Sequence, residues 1–144
     1  MTSIDFYFNA GDKLQVACRL AGKAMEHRKR LLIYAPQSNI AQSIDRMLWT
    51  WPAIGFVPHC HAGDALVAET PVLIASDTET PDGCELLLNL AADSPPHFAR
   101  FDRLLEIVST DAQDRDAGRA RYKFYRDRGY AIESHDLATQ GNRT

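Results

Sequence analysis

Residues 30–36 read RLLIYAP. Two leucines, an isoleucine and a tyrosine follow one another without a charge, and Pro36 closes the run. A segment this short, apolar throughout and ended by proline, reads as a buried strand. Its neighbours show what kind of sheet it joins. Upstream, over residues 12–27, Leu14, Cys18, Ala21 and Met25 fall at i, i+4, i+7 and i+11, which is one face of a helix. Downstream, Ser38 can cap a second helix that runs to about Trp49 or Thr50. Further strands are expected at 4–8 (IDFYF), 72–75 (VLIA), 86–88 (LLL) and 104–108 (LLEIV). Thr110 or Asp111 can cap a final helix reaching Arg128, with Gly129 as its stop. Strands alternating with helices imply an α/β domain in three layers, its sheet mostly parallel and covered by helices on both faces.

The chain has 144 residues, 45% hydrophobic and 24% charged, the balance of one globular domain. That domain is expected over 1–138, with 139–144 as a flexible tail. No apolar run approaches the ~20 residues of a membrane span. The start, MTSIDFYFNA, has no basic segment followed by an apolar one, so no signal peptide is read. Cys18, Cys60 and Cys84 are odd in number and widely spaced, which fits reduced thiols in a cytoplasm.

Charge is distributed unevenly. No Lys or Arg occurs between Arg46 and Arg100, where Asp64, Glu69, Asp77, Glu79, Asp82, Glu85 and Asp93 all lie. Residues 115–128 reverse this, with Arg115, Arg119, Arg121, Lys123, Arg126 and Arg128 against two acids. A local basic patch on a chain of net charge −3 suits a local anionic partner better than nucleic acid at large.

Motifs for chemistry are missing. No G-x-G-x-x-G follows the first strand. The Gly22-Lys23 pair sits inside a helix pattern, without the earlier glycine or the following Ser or Thr of a phosphate loop. His59-Cys60-His61 lacks a second pair of ligands at metal-binding spacing and reads as a loop with a partly buried cysteine. Neither G-x-S-x-G nor a nucleophile–base pairing is found. No catalytic residue, metal or cofactor is expected.

Two surfaces have a physical rationale. At 100° per residue, Ile40, Ile44, Met47 and Trp51 cluster, with Leu48 on their flank, and form the buried stripe of the second helix. Trp49 falls among Gln42, Asp45 and Arg46 on the polar face. With Pro52, Phe56 and Pro58 in the following loop, it makes an aromatic patch suited to a partner protein. The alternative is a helix that ends early, with Trp49 folded under the loop. In the last helix Arg115, Arg119, Tyr122 and Arg126 share one face, a receptor for carboxylates beside an aromatic or apolar group. The alternative is a solvated basic face. Ala117, Ala120 and Phe124 lie opposite and are expected to pack on the sheet. Asp111 and Asp114 favour the helix dipole, and Asp111 can pair with Arg115.

DFYF (5–8), KRLLIYAP (29–36), LWTWPAIGFVPH followed by AGD (48–64), LLLNLA (86–91) and RARYKFYRDRGY (119–130) together resemble the chi subunit of bacterial DNA polymerase III holoenzyme, essentially from end to end. The resemblance implies a Rossmann-like fold without nucleotide-binding motifs and a non-catalytic accessory role. It implies a one-to-one pairing with the psi subunit of the clamp loader through Trp49 and Phe56, with Pro52 and Pro58 beside them. In some members a helicase uses that surface instead. It also implies a grip on the acidic C-terminal tail of single-stranded DNA-binding protein, which ends in Pro-Phe. The positions that carry over are Val108, Arg115, Arg119 and Tyr122, with Lys123 and Arg126 added. Val108 and the helix edge would receive the terminal Phe. Gly118, inside the helix, costs about 1 kcal/mol relative to alanine and leaves the helix geometry open. Residues 69–84 carry no recognisable motif.

The competing class is a small α/β enzyme with a metal or active site near His59–His61. Direct DNA binding through residues 115–128 is expected to be weak and strongly salt-dependent, because only one short face is basic.

Overall fold

In a computed structural model, residues 2–50, 59–61, 72–77 and 84–140 are described. They contain strands β1 (Ser3–Ala10), β2 (Leu31–Tyr34), β3 (His59–His61), β4 (Val72–Ala75), β5 (Leu86–Asn89), β6 (Arg103–Ser109) and β7 (Ile132–Asp136). Helices are α1 (Lys13–Glu26), α2 (Ser38–Thr50), α3 (Ala112–Asp127) and the short α4 (Leu137–Gln140), with a 3-10 turn at Phe98–Arg100. The strands form one sheet in the order β3-β4-β2-β5-β6-β1-β7, and every pairing is parallel.

Side-chain alternation along each strand divides the core into two layers. Leu31, Ile33, Ile74, Leu88, Leu105 and Ile107 meet α1 and α2 on one face. Ile4, Phe6, Leu32, Leu87, Leu104 and Val108 meet Tyr125 of α3, Phe98 and Phe101 on the other. Helices on both faces of a parallel sheet make the three-layer Rossmann-like architecture expected from the sequence. The buried-strand reading of 30–36 holds: Leu31, Leu32 and Ile33 are sealed from solvent on both faces.

Local signals set the helix ends. Asp12 caps α1, accepting from the Leu14 and Gln15 amides at 3.1 and 3.3 Å. The chain leaves α1 through Arg28, which adopts a left-handed φ of 56°. Asp111 caps α3 by accepting from the Asp114 amide at 3.1 Å. Gly129, at φ 81°, ends it beyond Arg128, a conformation that glycine tolerates best. In α1, Cys18 and Ala21 are buried as expected, and Leu14 and Met25 pack partly buried at either end.

Several expectations need correcting. Ser38 opens α2 as its first residue, and the helical bonds begin at the Gln37 carbonyl, which accepts from Ala41 at 3.0 Å. The buried line of α2 is Ala41, Ile44 and Leu48, with Ile40 and Met47 flanking it. His59–His61 is not a loop: its backbone is strand β3, paired with β4. The strand β7 was not anticipated from IESHD, whose only strongly apolar residue is Ile132. It is held by pairing with β1. The backbone of Leu137–Gln140 forms helix α4, and residues 141–144 of the expected tail lie outside the described residues.

The packing face of α3 also differs from the expectation. Gly118, Arg121 and Tyr125 are buried, whereas Ala120 is exposed and Ala117 and Phe124 are half-buried. The reason is electrostatic. Arg121 faces inward because Glu106, fully buried on β6, supplies its counter-charge, and a reading based on apolar spacing assigns an arginine to solvent.

Candidate binding surface

Glu106, Arg121, Tyr125 and Asn89 build the support for α3. Arg121 Nε donates to Glu106 Oε1 at 2.9 Å, and the Tyr125 hydroxyl donates to Oε2 at 2.6 Å. Asn89 Nδ2 donates to both carboxylate oxygens at 3.1 Å. Arg121 Nη1 donates to the Ala92 carbonyl at 2.8 Å, tying the segment after β5 to the same helix. Burial pushes the Glu106 carboxyl upward, against the pull of Arg121, Tyr125 and Asn89. Burial and the neighbouring Glu106 raise the Tyr125 phenol.

Gly118 fixes the closest approach of α3 to the sheet. A Cβ there would stand 2.6 Å from Val108 Cγ2. The glycine that looked costly in the helix is the residue that lets α3 sit on β6. Val108 is thereby buried, 7% exposed, beneath the helix.

The N-terminus of α3 is anchored separately. Asp114 accepts from the Ser109 amide at 2.7 Å and pairs with Lys13 at 3.0 Å. Burial alone would raise its carboxyl, but the Ser109 amide and Lys13 outweigh this and hold it below the usual carboxylate range. Asp111 uses its side chain as the cap rather than as the expected partner of Arg115.

With α3 so fixed, Arg115, Arg119, Lys123 and Arg126 are all exposed on one flank. Tyr122 lies half-buried among them, its ring edge-on to Phe6 at 5.2 Å. Arg119 meets Asp116 at 3.8 Å and Arg126 meets Asp127 at 3.6 Å, both pairs largely in solvent. Such pairs are worth about 0–1 kcal/mol, so an incoming carboxylate can displace them. Among the described residues, neither Arg115 nor Lys123 has an ion-pair partner. The other flank, with Ala117, Ala120 and Phe124, lines a cleft of about 450 Å³ against Pro95, Pro96 and Phe98.

The crevice where α/β folds usually hold ligands opens between α1, α2 and α3 and measures about 350 Å³. Lys13 and Asp114 bridge it, and Asp111 adds a second carboxylate to its lining. Two carboxylates there disfavour a phosphate. Trp49 is the penultimate residue of α2, and nothing further of its surroundings is described. Pro52, Phe56 and Pro58 lie outside the described residues.

Among the described residues one grouping offers three metal-ligating side chains: Asp5, Glu133 and His135, with donor atoms all within 4.8 Å of one another. Sequence reasoning missed it, because Asp5 and His135 are 130 positions apart. Cys18 is buried and free, its thiol pushed up to about 12 by burial, with Asp12 adding to the shift. Burial likewise raises the half-buried, free Cys84. Among the described residues, no helix is long and apolar enough to cross a membrane.

Fold and surface together define a class: a Rossmann-like domain whose ligand crevice is spanned by a Lys13–Asp114 ion pair and lined by two carboxylates, and whose helix α3 carries a row of exposed basic side chains. The chain belongs to the family described as DNA polymerase III chi subunit, HolC, which matches residues 1–133. It is 32% identical over 141 residues to the DNA polymerase III subunit chi of Pseudomonas aeruginosa, covering 95% of this chain and 98% of that protein. The corresponding subunit of Escherichia coli K12 is 28% identical over 121 residues, 83% of this chain and 82% of the relative. That of Haemophilus influenzae is 28% identical over 124 residues, 85% and 86%.

Proposed function

We propose that this chain is a non-catalytic, cytoplasmic bridge within the replicative polymerase assembly. In this reading one surface receives the acidic C-terminal tail of single-stranded DNA-binding protein. The other, around Trp49, Pro52, Phe56 and Pro58, docks on the psi subunit of the clamp loader. A helicase is the alternative partner for the second surface.

The observation that carries the reading is the exposed flank of α3, where Arg115, Arg119, Lys123 and Arg126 surround the half-buried Tyr122. Arginine forks pair with aspartate side chains and a terminal carboxylate in two-point contacts. Half-buried Tyr122 offers apolar surface to a terminal phenylalanine, whereas Val108, expected beside it, is buried beneath the helix and seats α3 on the sheet. The buried Glu106–Arg121 pair holds the helix in place, so a tail meets charges on a pre-ordered helix.

Calorimetric titration with a peptide ending in Asp-Asp-Ile-Pro-Phe tests this. Binding that weakens with added salt and is lost in Arg119→Ala supports the reading. No binding at low salt refutes it.

A further inference from the structure

We propose that Asp5, Glu133 and His135 form a binding site for a zinc-class divalent cation on the face of the sheet opposite α3. Asp5 on β1 lies in register with Glu133 on β7, and Tyr7 lies in register with His135. Alternation along two paired strands therefore turns all four side chains to the same face. His135 Nε2 stands 3.1 Å from Asp5 Oδ1, a gap that two donors of one zinc ion, each about 2.1 Å from the metal, can span. The His135 ring is stacked on Tyr7, centroids 4.6 Å apart and planes within 14°, which fixes its orientation.

Asp5 is the informative residue. It is a carboxylate 2% exposed on a strand paired on both sides, where an apolar residue would cost less to bury. Arg103 Nε donates to its Oδ2, while Oδ1 takes a long 3.4 Å contact from Arg103 Nη2 and is hydrogen-bonded to His135 Nε2 at 3.1 Å. Arg103 thus orients the carboxylate and leaves Oδ1 directed at His135. This is the role that neighbours of metal ligands play in known sites.

A cleft of about 460 Å³ opens over these residues, so water can complete a site of three protein ligands. An imidazole with two carboxylates suits zinc or nickel, whereas magnesium and calcium take oxygen donors. Lys23 and Lys29 also line the cleft and oppose a cation. Lys29 is paired with Glu85 at 3.1 Å, so Lys23 and the Asp5-paired Arg103, which also lines the cleft, are the main opposing charges. The bound ion would clamp β7 to β1, its one neighbour among the described strands.

The test is calorimetric titration of the chelator-stripped full chain with zinc chloride, paired with thermal unfolding with and without zinc. One ion per chain is expected, with affinity at least tenfold lower in Glu133→Gln and in His135→Gln. Zinc should raise the melting temperature of the parent chain and not that of the combined Glu133→Gln/His135→Gln variant. Glu133 is exposed, so its substitution leaves the fold intact. The variant His59→Gln/His61→Gln should bind as the parent does. Absence of binding, unchanged affinity in His135→Gln, or loss of binding in the β3 variant would each overturn the site.

Discussion

Gly118 on α3 stands over Val108 on β6, so close that a Cβ would lie 2.6 Å from one valine methyl and 2.9 Å from the other. The valine is β-branched and enclosed, so neither methyl can swing aside. Alanine at 118 would gain about 1 kcal/mol in helix propensity. It would lose about 1–3 kcal/mol to overpacking. Gly118→Ala is therefore expected to lower stability by about 1 kcal/mol, a drop of a few degrees in melting temperature. Pairing it with Val108→Ala should be less harmful than the two single losses added together. Strict additivity would show that the two sites do not press on each other.

The Glu106–Arg121 pair makes a second prediction. Arg121→Met leaves a carboxylate buried without its counter-charge, at an expected cost of about 3–5 kcal/mol. Adding Glu106→Gln should recover part of that cost, because the remaining group is neutral. Urea unfolding of both variants decides it, and a double variant less stable than Arg121→Met would refute the account.

His97 couples stability to pH. It is 5% exposed, and neither ring nitrogen has a hydrogen-bond partner among the described residues. Burial lowers its pKa below the ordinary 6.5, with Arg100 acting in the same direction. The unfolded chain therefore takes up a proton that the folded chain resists. This contribution is complete above pH 6.5 and is lost as pH falls through 6.5 toward the folded value. Urea midpoints at mildly alkaline and mildly acid pH should differ more in the parent than in His97→Leu. Equal slopes would remove His97 from the explanation.

The two proposed surfaces should separate by mutation. Arg119→Ala is expected to weaken the acidic peptide by about 1–3 kcal/mol and to leave psi binding unchanged. Trp49→Ala should cost about 2 kcal/mol or more in psi binding and leave the peptide unaffected. Pull-down and titration with each partner would show it. Equal losses in both assays from either variant would point to misfolding and defeat the two-surface reading.

What the sequence determined by itself was local. The apolar run at 31–35, a cap at Thr110 or Asp111, the stop at Gly129 and the helical spacing of Arg115, Arg119, Tyr122 and Arg126 each act within a few residues. Short-range rules therefore read them correctly. Tertiary structure alone decided which strands are neighbours, that IESHD becomes β7, and that Arg121 points inward. It also brought Arg103 and His135 to Asp5, across 98 and 130 positions. The physical reason is the same in each case. A polar residue is placed by whichever distant partner satisfies its charge or hydrogen bonds, and no periodicity along the chain records where that partner will be.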